Sequence, residues 1–371
     1  MTSREAAWTW PLVLNQLVSR RDLPGDGADW AMTSILTGDA TSAQIAGFVT
    51  ALRTKGETPA EVDALVSAML REARLLDLGA DGPSVVLDVV GTGGDQSHTV
   101  NISTMSALVC AAAGAPIVKH GNRAASSSTG TADVLEELGV AIDLEPDAVA
   151  VSVSEAGIGF CFAQVHHPAM RFAGPTRREL GVPTVFNILG PLTNPAGATA
   201  ALIGCASLAL APVMADVLSR RGVRALVVRG EDGLDEISTS GPTRVWDVTD
   251  GSVVEVMLEP GDAGIRTSDR DLLRGGDRAR NADLLRKALA APAPGLGDDA
   301  ERVAAIREAV ALNSAAALVA YDAATGRPVV AGSSLAERIV GTLPRVRAVL
   351  ESGAALDVLD RWIDVTARLR R

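Results

Sequence analysis

The stretch SVVLDVVGTGGD, residues 84–95, decides the fold. Its valines and leucine form a short apolar run with no polar alternation, the pattern of a strand covered on both faces. The run stops at Gly91-Thr92-Gly93-Gly94-Asp95, and residues 101–113 then read as a helix. The same rhythm recurs downstream. PIVKH (116–120) precedes a helical segment at 131–138, and GFCFA (159–163), TAALIGCA (199–206) and ALVVRG (225–230) are further short apolar runs, spaced by helical patterns such as 208–218. Strands alternating with helices predict an α/β fold with a mainly parallel central sheet flanked by helices. RVWDVTDGSVVEVML, residues 244–258, reads instead as a hairpin around Asp250-Gly251, an antiparallel addition. The last hundred residues are mostly helical in pattern.

Upstream of the decisive stretch the sequence changes character. Residues 1–75 read as helices only. Thr41 with Gln44 forms a capping-box pattern, followed by Ile45, Phe48, Val49 and Leu52 at helical spacing and by Gly56 as a stop. Thr58-Pro59-x-Glu61 is a second start, followed by Val62, Leu65, Val66, Met69 and Leu70.

The length of 371 residues suits two domains. Hydrophobic residues are 47% and charged residues 21%, a globular composition. Aromatic residues are only 3% and the net charge is −11, which argues against a nucleic-acid binder: stacking platforms and a basic face are both missing. Cys110, Cys161 and Cys205 lie in apolar surroundings without a C-x-x-C pair, so they read as core residues. Residues 1–10 lack the pattern of a signal peptide, and no uninterrupted apolar run reaches the roughly 18 residues of a membrane span, so the cytoplasm is the expected location.

Four segments carry chemistry. GTGGD at a strand end offers backbone amides to an anion, with the positive end of the following helix nearby. A dinucleotide fingerprint would need glycine at Gln96, and a P-loop would need G-K-[ST], which is absent. VKHGNRAASSSTGTADVLEELG, residues 118–139, follows the next strand and combines Lys119, His120, Asn122 and Arg123 with Ser126, Ser127, Ser128, Thr129 and Thr131. Cations, amides and hydroxyls in one loop suit a phosphate or diphosphate, though Thr129 or Thr131 also serves as an N-cap candidate. EDGLDEIS, residues 231–238, sets Asp235 beside Glu236 in a loop, hard oxygen ligands of the kind Mg2+ takes. FCFAQVHHPAMRFAGPTRREL, residues 160–180, brings His166, His167, Arg177 and Arg178. Adjacent histidines point apart and no third ligand stands at a metal spacing, while either arginine offers a bidentate fork to a carboxylate.

Taken together, GTGGD, NIST, KHGNRAASS, HPAM, FNILGPLTNP and DGLDEIS occur in the order seen in anthranilate phosphoribosyltransferases, and the chain resembles that family from about residue 10 to its C-terminus. The resemblance implies transfer of phosphoribosyl from phosphoribosyl diphosphate (PRPP) to the anthranilate amine, with release of diphosphate, in tryptophan biosynthesis. It implies a small helical domain, 1–78 with 165–190, hinged to a larger α/β domain, 79–164 with 191–371, and a homodimer. By motif match, Gly91, Gly94, Asp95, Thr99, Asn101, Ile102, Ser103 and Thr104 would surround PRPP, together with Lys119, His120, Gly121, Asn122, Arg123, Ala124, Ala125, Ser126, Ser127 and Thr131. Ser103 and Glu236 would touch one Mg2+, and Asp235 and Glu236 a second. Gly91, Asn122 and Arg177 would contact anthranilate, and His120, Ala163 and His167 would line its entry path. No acid–base residue is implied.

Three positions depart from the family pattern: Gln96 where glycine is usual, Gln164 where proline is, and His166 where Tyr or Phe is common. They bear on loop conformation and aromatic-substrate affinity. Pyrimidine-nucleoside phosphorylases share the architecture and the glycine and serine loops, but FNILGPLTNP and DGLDEIS favour the transferase. A catalytically silent relative binding nucleic acid or a regulatory ligand would have lost the acidic pair or gained a basic face.

Overall fold

The computed structural model describes residues 8–124, 129–292, 297–327 and 332–370. Helices Trp10–Val18, Gly25–Leu36, Ser42–Lys55 and Pro59–Arg71 come first. Both capping boxes form as the sequence predicts. Thr41 Oγ1 accepts the Gln44 N–H at 3.3 Å while Gln44 Oε1 accepts the Thr41 N–H at 2.9 Å. Thr58 and Glu61 make the same exchange at 3.3 and 2.9 Å. Glu61 does more than cap. Its buried carboxylate also accepts the Leu23 N–H at 2.8 Å and Lys55 Nζ at 2.9 Å, tying three helix ends together.

Seven strands follow among the described residues: β1 Leu87–Gly91, β2 Ile117–Gly121, β3 Ile158–Phe162, β4 Ala200–Gly204, β5 Arg224–Gly230, β6 Thr243–Asp247 and β7 Val254–Leu258. They form one sheet in the order β3-β2-β1-β4-β5-β6-β7. Strands β1 to β5 run parallel, and β6 and β7 join antiparallel as the predicted hairpin. The chain builds outward from β1 to β3, then returns to place β4 on the other side of β1. The strand order therefore reverses between β1 and β4, where open α/β sheets leave a crevice at their carboxyl ends.

Alternation along β1, β4 and β5 divides their side chains between two apolar clusters. Leu87, Val89, Ala200, Leu202, Leu226 and Val228 enter one apolar cluster with helices Ile102–Ala112 and Ala300–Ala324. Val90, Ala201, Ile203, Ala225 and Val227 face the other way, into a cluster that also contains the apolar stripes of the four N-terminal helices. Neither face is left to solvent, which is why these strands show no polar alternation. Helix Ala300–Ala324, with its leading turn, is long and apolar enough by length and composition to cross a membrane, but most of its apolar stretch is buried within the fold. It lies against β4, β5 and helix Ile102–Ala112. Small alanines carry its apolar character, and Asn313 and Ser314 interrupt it, so the chain has no uninterrupted apolar run of about 18 residues, as the sequence predicts.

Residues 163–192 return to the helical part. Helix Gly174–Leu180 packs on Ser42–Lys55, and helix Phe186–Leu192 packs on Pro59–Arg71. The crossings between the two parts are stitched together: the Arg74 N–H donates to the His166 carbonyl at 2.8 Å, and the Leu76 N–H to the Pro195 carbonyl at 3.0 Å. His166 Nδ1 in turn meets the Arg74 carbonyl at 2.9 Å. Cys110, Cys161 and Cys205 are all buried free thiols.

Glu61→Ala should leave Lys55 and the Leu23 N–H without a buried partner and lower unfolding free energy by about 3 kcal/mol. Urea denaturation at neutral pH measures it; a loss no larger than that of a surface substitution would refute the tie.

Candidate active site

β1 and β4 both end in glycine, and the two glycines lie in register, Gly91 opposite Gly204. The loop after β5 crosses directly over them. A Cβ on Gly204 would stand 1.6 Å from the Asp235 carbonyl oxygen, and one on Gly91 would stand 2.5 Å from Asp235 Oδ2. Two missing side chains thus let the 231–238 loop reach the crevice. Asp235 Oδ2 then accepts the Gly93 N–H at 2.7 Å, joining residues 142 positions apart. Beyond this contact the glycine loop turns through left-handed backbone at Gly93 and Gly94, and again at Gln96 and His98, with φ of 56° and 51°. The last two carry side chains, for which this conformation costs about 1–2 kcal/mol each.

Around that contact three acids meet one lysine. Asp95 Oδ2 is buried without a hydrogen-bond partner among the described residues and faces Asp235. Burial, and then the charges of Asp95 and Glu236, hold the Asp235 carboxyl well above the usual carboxylate range. Burial likewise raises Glu236, opposed by Lys119 and by the Ser103 N–H that it accepts. Two facing carboxylates need a proton or a cation between them, so this edge fits a hard divalent ion. No group of three or more His, Cys, Asp or Glu side chains among the described residues forms a closed metal cage. An ion here would take one or two carboxylates and complete its shell with water and substrate oxygens, the habit of Mg2+.

Lys119 lies on β2 and is buried. Its ammonium donates to the Val89 carbonyl and, at 3.2 Å, to Ser103 Oγ. Burial holds it below its ordinary value, while Asp88 and Glu236 oppose that. Asp88 escaped the sequence reading because it sits inside an apolar strand. Its carboxylate accepts the His120 N–H at 3.2 Å and Asn194 Nδ2 at 2.8 Å, and burial pushes it up to about 6. Asn194, from FNILGPLTNP, also donates to the Val118 carbonyl at 2.7 Å, so it fastens β1 to β2 below the site. Asn313 was also missed; it bonds both main-chain groups of Ile237, at 2.9 and 3.0 Å.

Helix Ile102–Ala112 begins beside the acids, with Ile102, Ser103 and Thr104 in its first turn. Asn101 receives Asn281 Nδ2 at 3.0 Å, and Thr99 pairs with Arg274 in an isolated bridge. After β2, Gly121 passes over the Phe160 ring, where a Cβ would stand 2.8 Å from it. Asn122 is exposed and accepts the Arg123 N–H at 2.8 Å. The Arg123 guanidinium turns to Asp133 and Glu136, at 3.0 and 2.9 Å. Neither candidate threonine caps helix Thr131–Leu138. Gly130 is the N-cap, and the Asp133 carboxylate accepts the N–H groups of Gly130 at 2.9 Å and Ala124 at 3.1 Å. An acid three residues in thus supplies the return half of a capping box and closes the loop on itself. Ala125, Ser126 and Ser127 lie outside the described residues.

The remaining candidates cluster around helix Phe186–Leu192. The Arg177 guanidinium lies 5.4 Å from the centre of the Phe186 ring, and burial lowers its pKa. Among the described residues no carboxylate pairs with it, whereas Arg178 is exposed. His120 Nδ1 meets the Gly190 carbonyl at 2.9 Å, His167 Nε2 meets the Thr193 carbonyl at 3.0 Å, and the two rings stand 5.1 Å apart. Burial pushes His120 down to about 3 and His167 down to about 4, so both imidazoles are neutral. Ala163 opens the short helix Ala163–His166 beside them.

Comparison with known proteins accords with this geometry. The glycosyl transferase family helical bundle domain matches residues 11–73, and the family's a/b domain matches residues 83–356. The chain is 52% identical to the anthranilate phosphoribosyltransferase of Salinispora arenicola, over 98% of each chain. Among solved structures, the anthranilate phosphoribosyltransferase of Thermus thermophilus superposes with a TM-score of 0.83 at 39% identity, covering 96% of this chain and 99% of that one. The Saccharomyces cerevisiae enzyme in complex with PRPP and Mg superposes with a TM-score of 0.81 at 27% identity, covering 97% and 98%.

Gly204→Ala should displace the 231–238 loop and cost about 1–3 kcal/mol of stability, the usual range for overpacking. A crystal structure of the variant with the Asp235 carbonyl unmoved would contradict this. The histidines predict a pH effect. Their folded pKa values lie below the unfolded 6.5, so their stabilisation is complete above pH 6.5 and is lost as the pH falls through about 4 and 3. Wild type should therefore lose about 2–3 kcal/mol relative to His167→Gln between pH 6.5 and pH 4. Denaturant titrations at both pH values test this; a constant difference would mean that His167 is not held neutral.

Proposed function

The chain belongs to the anthranilate phosphoribosyltransferases, and we propose that the contact between Asp235 and the GTGGD loop marks where it grips PRPP. That contact carries the reading, because it sets an acidic, cation-demanding edge against a loop of anion-binding amides at the switch point of the sheet. The reaction moves phosphoribosyl from PRPP to the anthranilate amine and releases diphosphate, a step of tryptophan biosynthesis.

As diphosphate leaves the anomeric carbon, positive charge grows on the ribose ring and negative charge on the leaving group. Gly91, Gly94, Asp95, Thr99, residues 101–104, residues 119–127 and Thr131 are proposed to surround PRPP. The amides of the glycine loop and the first turn of helix Ile102–Ala112 face the diphosphate, and Lys119 offsets its charge. Bound Mg2+ would neutralise diphosphate oxygens, held by Ser103 and Glu236 at one site and by Asp235 and Glu236 at a second. The facing carboxyls of Asp95 and Asp235 are the observation that supports a cation here.

Arg177 is proposed to hold the anthranilate carboxylate, with Gly91 and Asn122 nearby and His120, Ala163 and His167 along the entry path. Its half-buried guanidinium, with no carboxylate paired to it among the described residues, supports that role. The aromatic amine is neutral at pH 7, so positioning rather than a general base serves the attack. Residues 1–78 with 165–190 are proposed to move as one body against 79–164 with 191–371, about the stitched crossings at Arg74 and His166. A homodimer in the cytoplasm completes the proposal.

Anthranilate fluorescence should disappear in the presence of PRPP and Mg2+, with nucleoside phosphorolysis as the negative control. Asp235→Ala combined with Glu236→Ala should abolish turnover, and wild-type turnover undiminished without added Mg2+ would sink the metal assignment. Arg177→Ala should raise KM for anthranilate by about tenfold or more, the loss of a charged hydrogen-bonded pair, and raise that for PRPP less. The opposite order would remove Arg177 from the acceptor site.

A further inference from the structure

The acidic pair stands on a loop, and helix Ala300–Ala324 determines how that loop is held. Asn313 is fully buried in the middle of this helix. Its Oδ1 accepts the Ile237 N–H at 2.9 Å, and its Nδ2 donates to the Ile237 carbonyl at 3.0 Å. The same Nδ2 donates to the Ala309 carbonyl one helical turn earlier at 2.9 Å, which fixes the plane of the carboxamide. One side chain thus supplies both bonds that a neighbouring strand would give to Ile237, the residue next to Glu236. From the other side, Gly204 and Gly91 admit the Asp235 backbone and carboxylate at contact distance. The segment is gripped between the strand ends and a helix contributed by the distant C-terminal part of the chain.

We propose that Asn313 is a positioning residue for Asp235 and Glu236, setting the place of both carboxylates without touching metal or substrate itself. The proposal rests on the reading that these two acids hold Mg2+ with PRPP. Ile237 has no side-chain oxygen or charge to hold its main chain in place. Freed from the carboxamide, the 235–237 backbone would rotate, and the carboxylates would move with it. Groups that orient metal ligands in this way typically change metal affinity about 10- to 100-fold when removed.

The test uses the full-length protein and three variants. Asn313→Leu keeps the branched shape, with a larger volume, and removes all three bonds; Asn313→Asp is closer in size, keeps the acceptor and loses the donor. Leu318→Ala, five residues along the same helix and pointing about 140° away, is a control for mere destabilisation. The Mg2+ concentration for half-maximal activity and the KM values for PRPP and anthranilate are measured. Calorimetric binding of PRPP with Mg2+ in the absence of anthranilate gives a readout independent of turnover. Asn313→Leu should raise the Mg2+ requirement about tenfold and weaken calorimetric PRPP binding, with the anthranilate KM unchanged. If it does not fold, Asn313→Asp is judged by the same criteria. A folded Asn313 variant with the wild-type Mg2+ requirement overturns the proposal, as does a Leu318→Ala control that raises the requirement equally. If wild-type PRPP binding is indifferent to Mg2+, the metal reading itself fails, whatever the Asn313 variants do.

Discussion

Everything at the site depends on one steric allowance: the bare Cα atoms of Gly91 and Gly204, side by side at the ends of β1 and β4. The sheet reverses its order between these strands and so opens a crevice there. A crevice alone holds nothing. Because no Cβ stands above either strand end, the loop from β5 can lie on the sheet's rim and bring Asp235 to the Gly93 amide. Topology provides the opening, and the two absent side chains let the acids into it.

The electrostatics follow from that placement. Asp235 and Glu236 are gathered where water solvates them poorly, with the charge of Asp95 close by and Lys119 on the opposing side. Asp88 stands behind Lys119, held by Asn194 and the His120 amide. An arrangement so rich in buried carboxylate is stable only when protons or cations enter it. That cost supports the proposal that this edge takes a cation.

Much of this was legible in the sequence because the relevant signals are local. Apolar runs without alternation announced a sheet buried on both faces, the capping boxes at Thr41 and Thr58 formed as written, and Asp250-Gly251 marked the hairpin. The loops GTGGD, KHGNR and DGLDEIS show their chemistry in their composition. What stayed hidden was non-local. Gly204 looks like an ordinary strand end until the 235 backbone is seen above it. Asp88 is disguised by apolar neighbours, and Asn313 by a helix of alanines. The Asp133 cap was missed because the eye goes to Thr129 and Thr131, while the hydrogen bonds go to a carboxylate three residues into the helix. The character of helix Ala300–Ala324 was likewise invisible without its surroundings.

The shared core beneath β1, β4 and β5 has a consequence for biosynthesis. The helices of residues 10–71 leave the ribosome first, yet part of their apolar cluster is completed by Ile203, Ala225 and Val227. Those partners are translated about 150 residues later, which at ordinary elongation speeds of roughly 5–20 residues per second means a wait of about 8–30 seconds. Through that interval the nascent helical bundle carries an uncovered apolar face. The chain therefore has a vulnerable period during its own synthesis, which ends when the fifth strand arrives.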